Sequence, residues 1–331
     1  MKLRSLIADP RIKLQIIIAI LGVVLLVGKL WAYYLTNSNA ILTDALESIV
    51  NVVAGFLGLY SIILSTTPSD ENHPYGHGKA EFISASVEGF LVALAGASMV
   101  AKAVWGLLHP HALEDLELGS IIIAATAAVN WLAGYISRQY GTRYHSPALI
   151  AGGTHLQSDA YSTIGILLGL LLIYITGWQL LDNVVAIIFG VIIATTGYGI
   201  MRQSIAGIMD EADTELLTQL VNFLQTHRHS HWVDIHNLRV IKYGRVLHID
   251  CHLTVPWYFS VQQAHDELEK VNLIVAQQVP NPIELFIHTD PCLPTSCPIC
   301  TVSNCEKRQQ AFKRTIEWTL ENVAKNTKHR L

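Results

Sequence analysis

His155-Leu-Gln-Ser-Asp159 lies inside the run Pro147 to Thr176, which is otherwise almost wholly apolar and reads as a membrane-spanning helix. Residues four apart on a helix share a face, so the imidazole of His155 and the carboxylate of Asp159 point the same way. A carboxylate in hydrocarbon costs several kcal/mol on insertion scales, and such a group needs a partner. A divalent metal, a proton or the polar face of another helix would each serve. A purely structural His–Asp hydrogen bond is the plainest alternative.

The composition agrees with a membrane setting. Of the 331 residues, 51% are hydrophobic and only 15% are charged, with a mean hydropathy of +0.37; soluble domains carry roughly a quarter charged residues. The net charge of −4 offers no basic surface for nucleic acid. Six stretches are long and apolar enough to span, at about 14–35, 39–65, 82–108, 118–138, 147–176 and 180–202. The first is too long for a signal-peptide core and lacks a small-residue cleavage site, so it is expected to remain as a helix. An even number of spans puts both termini on one side. Lys2, Arg4, Arg11, Lys13, Lys79, Arg138, Arg143 and Arg202 all flank that side, whereas the opposite loops contain neither Lys nor Arg. The termini are therefore expected in the cytoplasm. Lys29 and Lys102, near the far ends of their helices, can snorkel.

After Arg202 the pattern becomes that of a soluble domain. Thr214 to His227 has helical periodicity, Val233–Tyr243 and Arg245–Val255 read as a hairpin around Gly244, Gln262–Gln278 is an amphipathic helix, and Ile283–His288 is a short strand. The order α-β-β-α-β predicts a small two-layer α+β domain. The expected division is a transmembrane part over 1–207, this domain over 208–290, and a Cys-containing segment with a helical tail over 291–331. Alternation along Val246–Val255 turns Leu247, Ile249, Cys251, Leu253 and Val255 to one face, and His248, Asp250 and His252 to the other. Cys251 therefore reads as a core residue.

The second span brings further polar groups into the membrane: Asp44, Glu47, Ser48 and Asn51. Two i,i+4 registers compete there, Asp44 with Ser48 and Glu47 with Asn51, and spacing alone does not choose between them. Ser84, Ser86 and Glu88 lie in the third span and Asp182 near the outer end of the sixth. Glu47, Asn51, His155 and Asp159 together supply oxygen, oxygen, nitrogen and oxygen, a reasonable set for a first-row divalent ion. In the following loop Asp70, His73 and His77 have metal-ligand spacing, with Gly76 and Gly78 allowing a tight turn; a solvated loop with idle histidines is the alternative. Farther on, Cys292, Cys297, Cys300 and Cys305 are separated by four, two and four residues. Four thiols so close together can wrap a tetrahedral zinc, or less readily an iron–sulfur cluster. A disulfide pairing is disfavoured in a reducing cytosol, and idle reduced thiols are the remaining reading.

Three motifs together, Thr43–Asn51, Asp70-Glu-Asn-His73-Pro-Tyr-Gly-His77-Gly-Lys79-Ala-Glu81 and His155-Leu-Gln-Ser-Asp159, resemble the cation diffusion facilitator family of metal/proton antiporters. The resemblance runs nearly to Pro291. It implies a transport site built from i,i+4 pairs on the second and fifth helices, which selects Glu47 and Asn51 over Asp44 and Ser48. It also implies a modulatory metal at Asp70, His73 and His77, and an interfacial ion pair between Lys79 and Asp210. In the terminal domain it implies metal binding at His236, His252, His265, His288 and Asp290, at the interface of a homodimer. The chain departs from the family pattern in carrying Glu then Asn where the family has His or Asp, then Asp. Two carboxylates with a neutral imidazole and amide still balance a divalent charge. The change keeps Zn2+ as the leading cargo and admits Fe2+, Mn2+ and Co2+.

The expectation is thus a multi-pass protein of a bacterial-type inner membrane, embedded in the lipid bilayer. It would exchange a divalent transition-metal ion for protons, which compete for the same ligands. No phosphate-binding loop for ATP occurs. A metal-dependent intramembrane enzyme is disfavoured because no H-E-x-x-H or nucleophile–base motif is present. A non-transporting, metal-sensing scaffold of the same family is the other reading.

Overall fold

The computed structural model describes residues 8–36, 39–108, 117–176, 178, 180–244, 246–279 and 281–331, with some side chains inside the helices left aside. The chain divides into two compact units, Met1–Met209 and Asp210–Leu331.

Among the described residues the first unit has six long helices: α1 Pro10–Thr36, α2 Asn39–Ser65, α3 Ala80–Leu108, α4 Glu117–Arg143, α5 Pro147–Thr176 and α6 Leu180–Ile208. Among the described residues, four stretches are long and apolar enough to cross a membrane: Pro10–Trp31, Ser48–Ser65, Ala80–Leu108 and Asn183–Ile208. The expected count was six. The two helices without such a stretch, α4 and α5, carry Asn130, Arg138 and Gln139, and the cluster His155 to Asp159, within their described turns. They pack on each other, as α3 and α6 do.

Small residues set how closely the helices approach. A methyl added at Gly89 of α3 would lie 2.6 Å from the backbone nitrogen of Met201 on α6, and one at Gly134 of α4 would lie 2.5 Å from Gly153 O on α5. Side chains larger than hydrogen would force both pairs apart. At one end of the unit a buried ion pair ties the helices together. Arg11 Nη1 of α1 donates to Glu81 Oε1 of α3 at 2.8 Å, Ser65 Oγ of α2 donates to the same oxygen at 2.6 Å, and Ser146 Oγ, at the N-terminus of α5, donates to Oε2. Pro147 begins α5, where its missing N–H costs nothing, and Ser146 O accepts from Ile150 N.

The second unit runs α7 Thr214–Thr226, β1 Asp234–Tyr243, β2 Val246–Val255, α8 Val261–Gln278, β3 Ile283–Pro291, a 3-10 turn Pro294–Ile299 and a short α9 Leu320–Val323. The expected α-β-β-α-β order is present. β1 and β2 pair antiparallel, and β3 adds parallel to β2, giving the order β1-β2-β3, with α8 as the crossover that parallel pairing requires. Leu247, Ile249, Cys251, Leu253 and Val255 all enter the core with Trp232, Leu220 and Val275.

The tail departs from expectation. In place of a helix, residues after Cys305 form an irregular strap whose only helix among the described residues is α9. Tertiary packing outweighs the helical propensity of this charged segment. Trp318 and Val323 are buried in the core of the unit, and the backbone bonds of the strap go outward, from Lys313 N to Pro298 O at 2.8 Å and from Asn237 N to Lys325 O at 2.8 Å. Lys29 departs as well. It does not snorkel but is buried at 4% exposure, donating from Nζ to Ser48 Oγ at 2.8 Å.

Candidate metal-binding sites

On α5, His155 Nε2 lies 3.9 Å from Asp159 Oδ1, the pairing expected from i,i+4 spacing. Across from it on α2, Asn51 Nδ2 donates to Asp159 Oδ2 at 2.5 Å. Ser48 turns instead toward Lys29 of α1. The side chain of Glu47 lies outside the described residues, as do those of Asp44 and Asp182 and the loop residues 114–116. Asn51 also lines a small cavity with Ser48, Asn130 and Leu156, among residues of α1, α2, α4 and α5. His155 is nearly buried while Asp159 is about 29% exposed.

Glu88 of α3 is fully buried, and its Oε2 has no hydrogen-bond partner among the described residues. Space for the carboxyl comes from two glycines: a methyl at Gly152 would stand 3.0 Å from Oε2, and one at Gly58 would stand 3.2 Å from Oε1. Ser84 is buried nearby in sequence, also without a partner for its hydroxyl.

The loop between α2 and α3 gathers Asp70, His73 and His77, with one ligand atom from each lying within 4.8 Å of the others. Asp70 Oδ1 accepts the backbone N–H of Asn72 at 2.9 Å and of His73 at 2.7 Å, a local turn that Asp favours. The His73 N–H bond holds the Asp70 carboxyl below the usual carboxylate range. Gly76, at φ 81°, reverses the chain so that His77 returns to Asp70 at 3.6 Å. Just beyond, Lys79 Nζ donates to Ile208 O at 3.3 Å. Asp210 takes a left-handed backbone conformation with φ 57°.

In the second unit the register places His236, His252 and His288 side by side across β1, β2 and β3. The rings of His236 and His252 lie 5.0 Å apart and those of His252 and His288 4.7 Å apart. A bulge between His236 and Arg239, with Asn237 at φ 55°, bends β1 directly after the first histidine. Asp290, two residues past His288, lies 3.4 Å from His236 Nε2 and 3.1 Å from His252 Nδ1. His236, His252 and Asp290 thus form the second group with ligand atoms within 4.8 Å. His288 stands at its edge, 3.9 Å from Asp290. His265 does not join; it is exposed on α8, because crossover packing buries the face of Val271 and Val275 instead. The tail cysteines belong to neither group.

Three residues around this group were not anticipated. Asp234 lies 3.3 Å from His236 Nδ1 and also contacts His329, and Lys328 Nζ stands 3.4 Å from Asp290 Oδ1. Burial would raise the Asp234 carboxyl, yet the neighbouring His236 and hydrogen bonds from His329 hold it down at about 2. Burial likewise opposes the lowering of Asp290, which hydrogen bonding by His252 and the charge of Lys328 bring about. Lys328 and His329 lie more than thirty residues from the carboxylates they meet, beyond the reach of any motif, whereas Asp234 stands only two residues before His236.

Comparison with known proteins follows the same division. Residues 15–209 match the model of the cation efflux transmembrane domain, and residues 212–292 match that of the cation efflux protein cytoplasmic domain. The uncharacterized transporter sll1263 of Synechocystis sp. is 32% identical over 251 residues, covering 76% of this chain and 81% of that protein. The cation-efflux pump FieF of Escherichia fergusonii is 27% identical over 271 residues, covering 81% of this chain and 88% of the pump. FieF of Escherichia coli is 26% identical over the same length.

Proposed function

From the premise that this chain belongs to the cation efflux, or cation diffusion facilitator, family, we propose how it carries out cation efflux. The protein is an integral membrane transporter rather than an enzyme, with a cytoplasmic domain of the dimerisation type. The cargo is a divalent transition-metal ion, with Zn2+ first and Fe2+, Mn2+ and Co2+ as further candidates, exchanged for protons. The observation that carries the reading is the convergence of Asn51 and Asp159 from two different helices, with His155 one turn away.

Asp159, His155, Asn51 and Glu47 would hold the ion. The site is balanced for a divalent charge by two carboxylates, and its imidazole nitrogen suits zinc-like ions, while the oxygens of Asn51 and Glu47 suit harder ones. Protons bind the same carboxylate and imidazole atoms, so loading from one side and protonation from the other are mutually exclusive. All six helices are read as spans, and the basic residues flanking one side support cytoplasmic termini. His236, His252 and Asp290, with His288 beside them, serve as regulatory ligands in a homodimer. Asp70, His73 and His77 form a loop site, and Lys79 with Asp210 the interfacial ion pair.

Reconstitution into liposomes with an imposed proton gradient and a panel of Zn2+, Fe2+, Mn2+ and Co2+ tests this reading. The expected result is gradient-driven flux of at least one ion, lost in Asp159→Ala. Equal flux in wild type and variant, or none in either, overturns it.

A further inference from the structure

The four cysteines that follow β3 stand apart from every residue assigned to efflux. Cys292 N donates to Val255 O at 2.8 Å, fixing where the chain leaves the sheet. The 3-10 turn Pro294–Ile299 follows, and Cys300 N closes onto Cys297 O at 3.3 Å, so Cys297-Pro-Ile-Cys300 forms a single tight knuckle. Arg308 then reaches back across it. Its guanidinium donates to Cys297 O at 2.9 Å, Cys300 O at 3.1 Å and Val302 O at 2.5 Å. Cys300 is buried with Val233, Ile299 and Val302, and Cys292 and Cys305 pack against this cluster.

Burial raises the thiols of Cys292 and Cys300, and the neighbouring cysteines of the run add to that rise. Tyr258 Oη donates to Cys305 Sγ at 3.6 Å. Cys292, Cys300 and Cys305 share this one cluster, with no three of the four sulfurs within 4.8 Å of one another. Cys251 lies apart from this run, buried among the aliphatic residues of the domain core. All five cysteines are free rather than disulfide-bonded.

We propose that Cys292, Cys297, Cys300 and Cys305 form a tetrathiolate site for a zinc-class ion, separate from the cargo and regulatory sites, which anchors the strap 306–331. Four thiolates around a divalent ion leave a net negative charge, and Arg308 stands over the knuckle to offset it. Soft sulfur donors select zinc or its tetrahedral substitutes over manganese and magnesium. Loading turns the thiols toward a common centre and releases their protons. The strap so anchored is the segment that carries Lys328 and His329 to Asp290 and Asp234.

Sulfur gives this site its own signal, because the residues assigned to cargo and regulation include no cysteine. Full-length protein, purified in detergent under reducing conditions and stripped of metal, is titrated with Co2+. The expected result is a sulfur-to-cobalt charge-transfer absorption that saturates at one ion per chain and is displaced by Zn2+. It is lost in Cys297→Ser/Cys300→Ser and kept in Cys251→Ala and in Asp159→Ala. Absence of the band in wild type, or its survival in the double variant, overturns the proposal. If the double variant does not fold, thiol reactivity of the wild type decides: Zn2+ should protect four of the five thiols, and unchanged reactivity overturns the site. Neither readout depends on flux, so failure here leaves the efflux reading intact, and the reverse.

Discussion

Asn51 donates its amide N–H to Asp159 at 2.5 Å, closing a bond between α2 and α5 at the heart of the proposed cargo site. The amide presents nitrogen to the carboxylate, so the same residue must turn over to offer its oxygen to a cation. Asp159→Asn should cut proton-driven flux by at least about tenfold, in line with the loss of a metal ligand or its support. Asn51→Asp should retain flux but alter discrimination between Zn2+ and Mn2+, because a neutral amide becomes a charged ligand. Flux measured ion by ion in liposomes checks both.

The buried pair Arg11–Glu81, at 2.8 Å, is a structural joint among α1, α2, α3 and α5. Glu81→Gln should leave the guanidinium of Arg11 with less compensation and cost on the order of 3 kcal/mol. Thermal unfolding in detergent should show this loss, and Arg11→Met in the same background should recover part of it. Full recovery of stability by neither variant alone distinguishes a joint from a surface ion pair.

Lys328 stands beside Asp290, within reach of the same carboxylate that faces His236 and His252. A cation entering this group must compete with the ammonium. Lys328→Met should therefore tighten metal binding there by roughly tenfold, the effect of about 1.4 kcal/mol of removed charge competition. Titration with Co2+ in an Asp70→Ala, Asp159→Ala background, followed on the bands of imidazole-bound cobalt, reads this affinity. Unchanged affinity would show that the strap is neutral toward the group.

The carboxyl of Asp234, held at about 2 by His236 and His329 against the effect of burial, makes the second unit sensitive to acid. A depressed carboxyl stabilises the fold above its unfolded value of about 3.9. That contribution, about 2 kcal/mol, is lost as pH falls from about 4 toward 2. His329→Ala should move the acid transition to higher pH. Tryptophan fluorescence of the full chain, reporting on buried Trp232 and Trp318, follows the shift, and an unmoved midpoint would dismiss the role of His329.

Much of this was legible along the chain because the governing periodicities are short. The i,i+4 spacing of His155 and Asp159 and the alternation of β2 both depend on neighbours within a few residues, and both lie in space as spacing requires. The loop triad was legible for the same reason, since Asp70, His73 and His77 close on themselves through one turn. The tail was misread because its helical composition is a weak local preference. Burial of Trp318 and Val323 against a distant sheet outweighs it.

By itself, then, the order of residues determined the long helices, the α-β-β-α-β succession and most of the side chains that gather into the two candidate groups, all matters of local pattern. Only the tertiary structure decided which helix supplies the partner of Asp159, that Lys29 turns inward to Ser48, and that His265 stands outside the group made by His236, His252 and Asp290. Only it brought Lys328 and His329 to that group and set Arg308 over the cysteine knuckle. The physical reason is the same in each case. A hydrogen bond or ion pair acts over a few ångströms, and nothing in the chain between residues 234 and 329 records that their side chains meet until packing of the strap on the sheet has closed the distance.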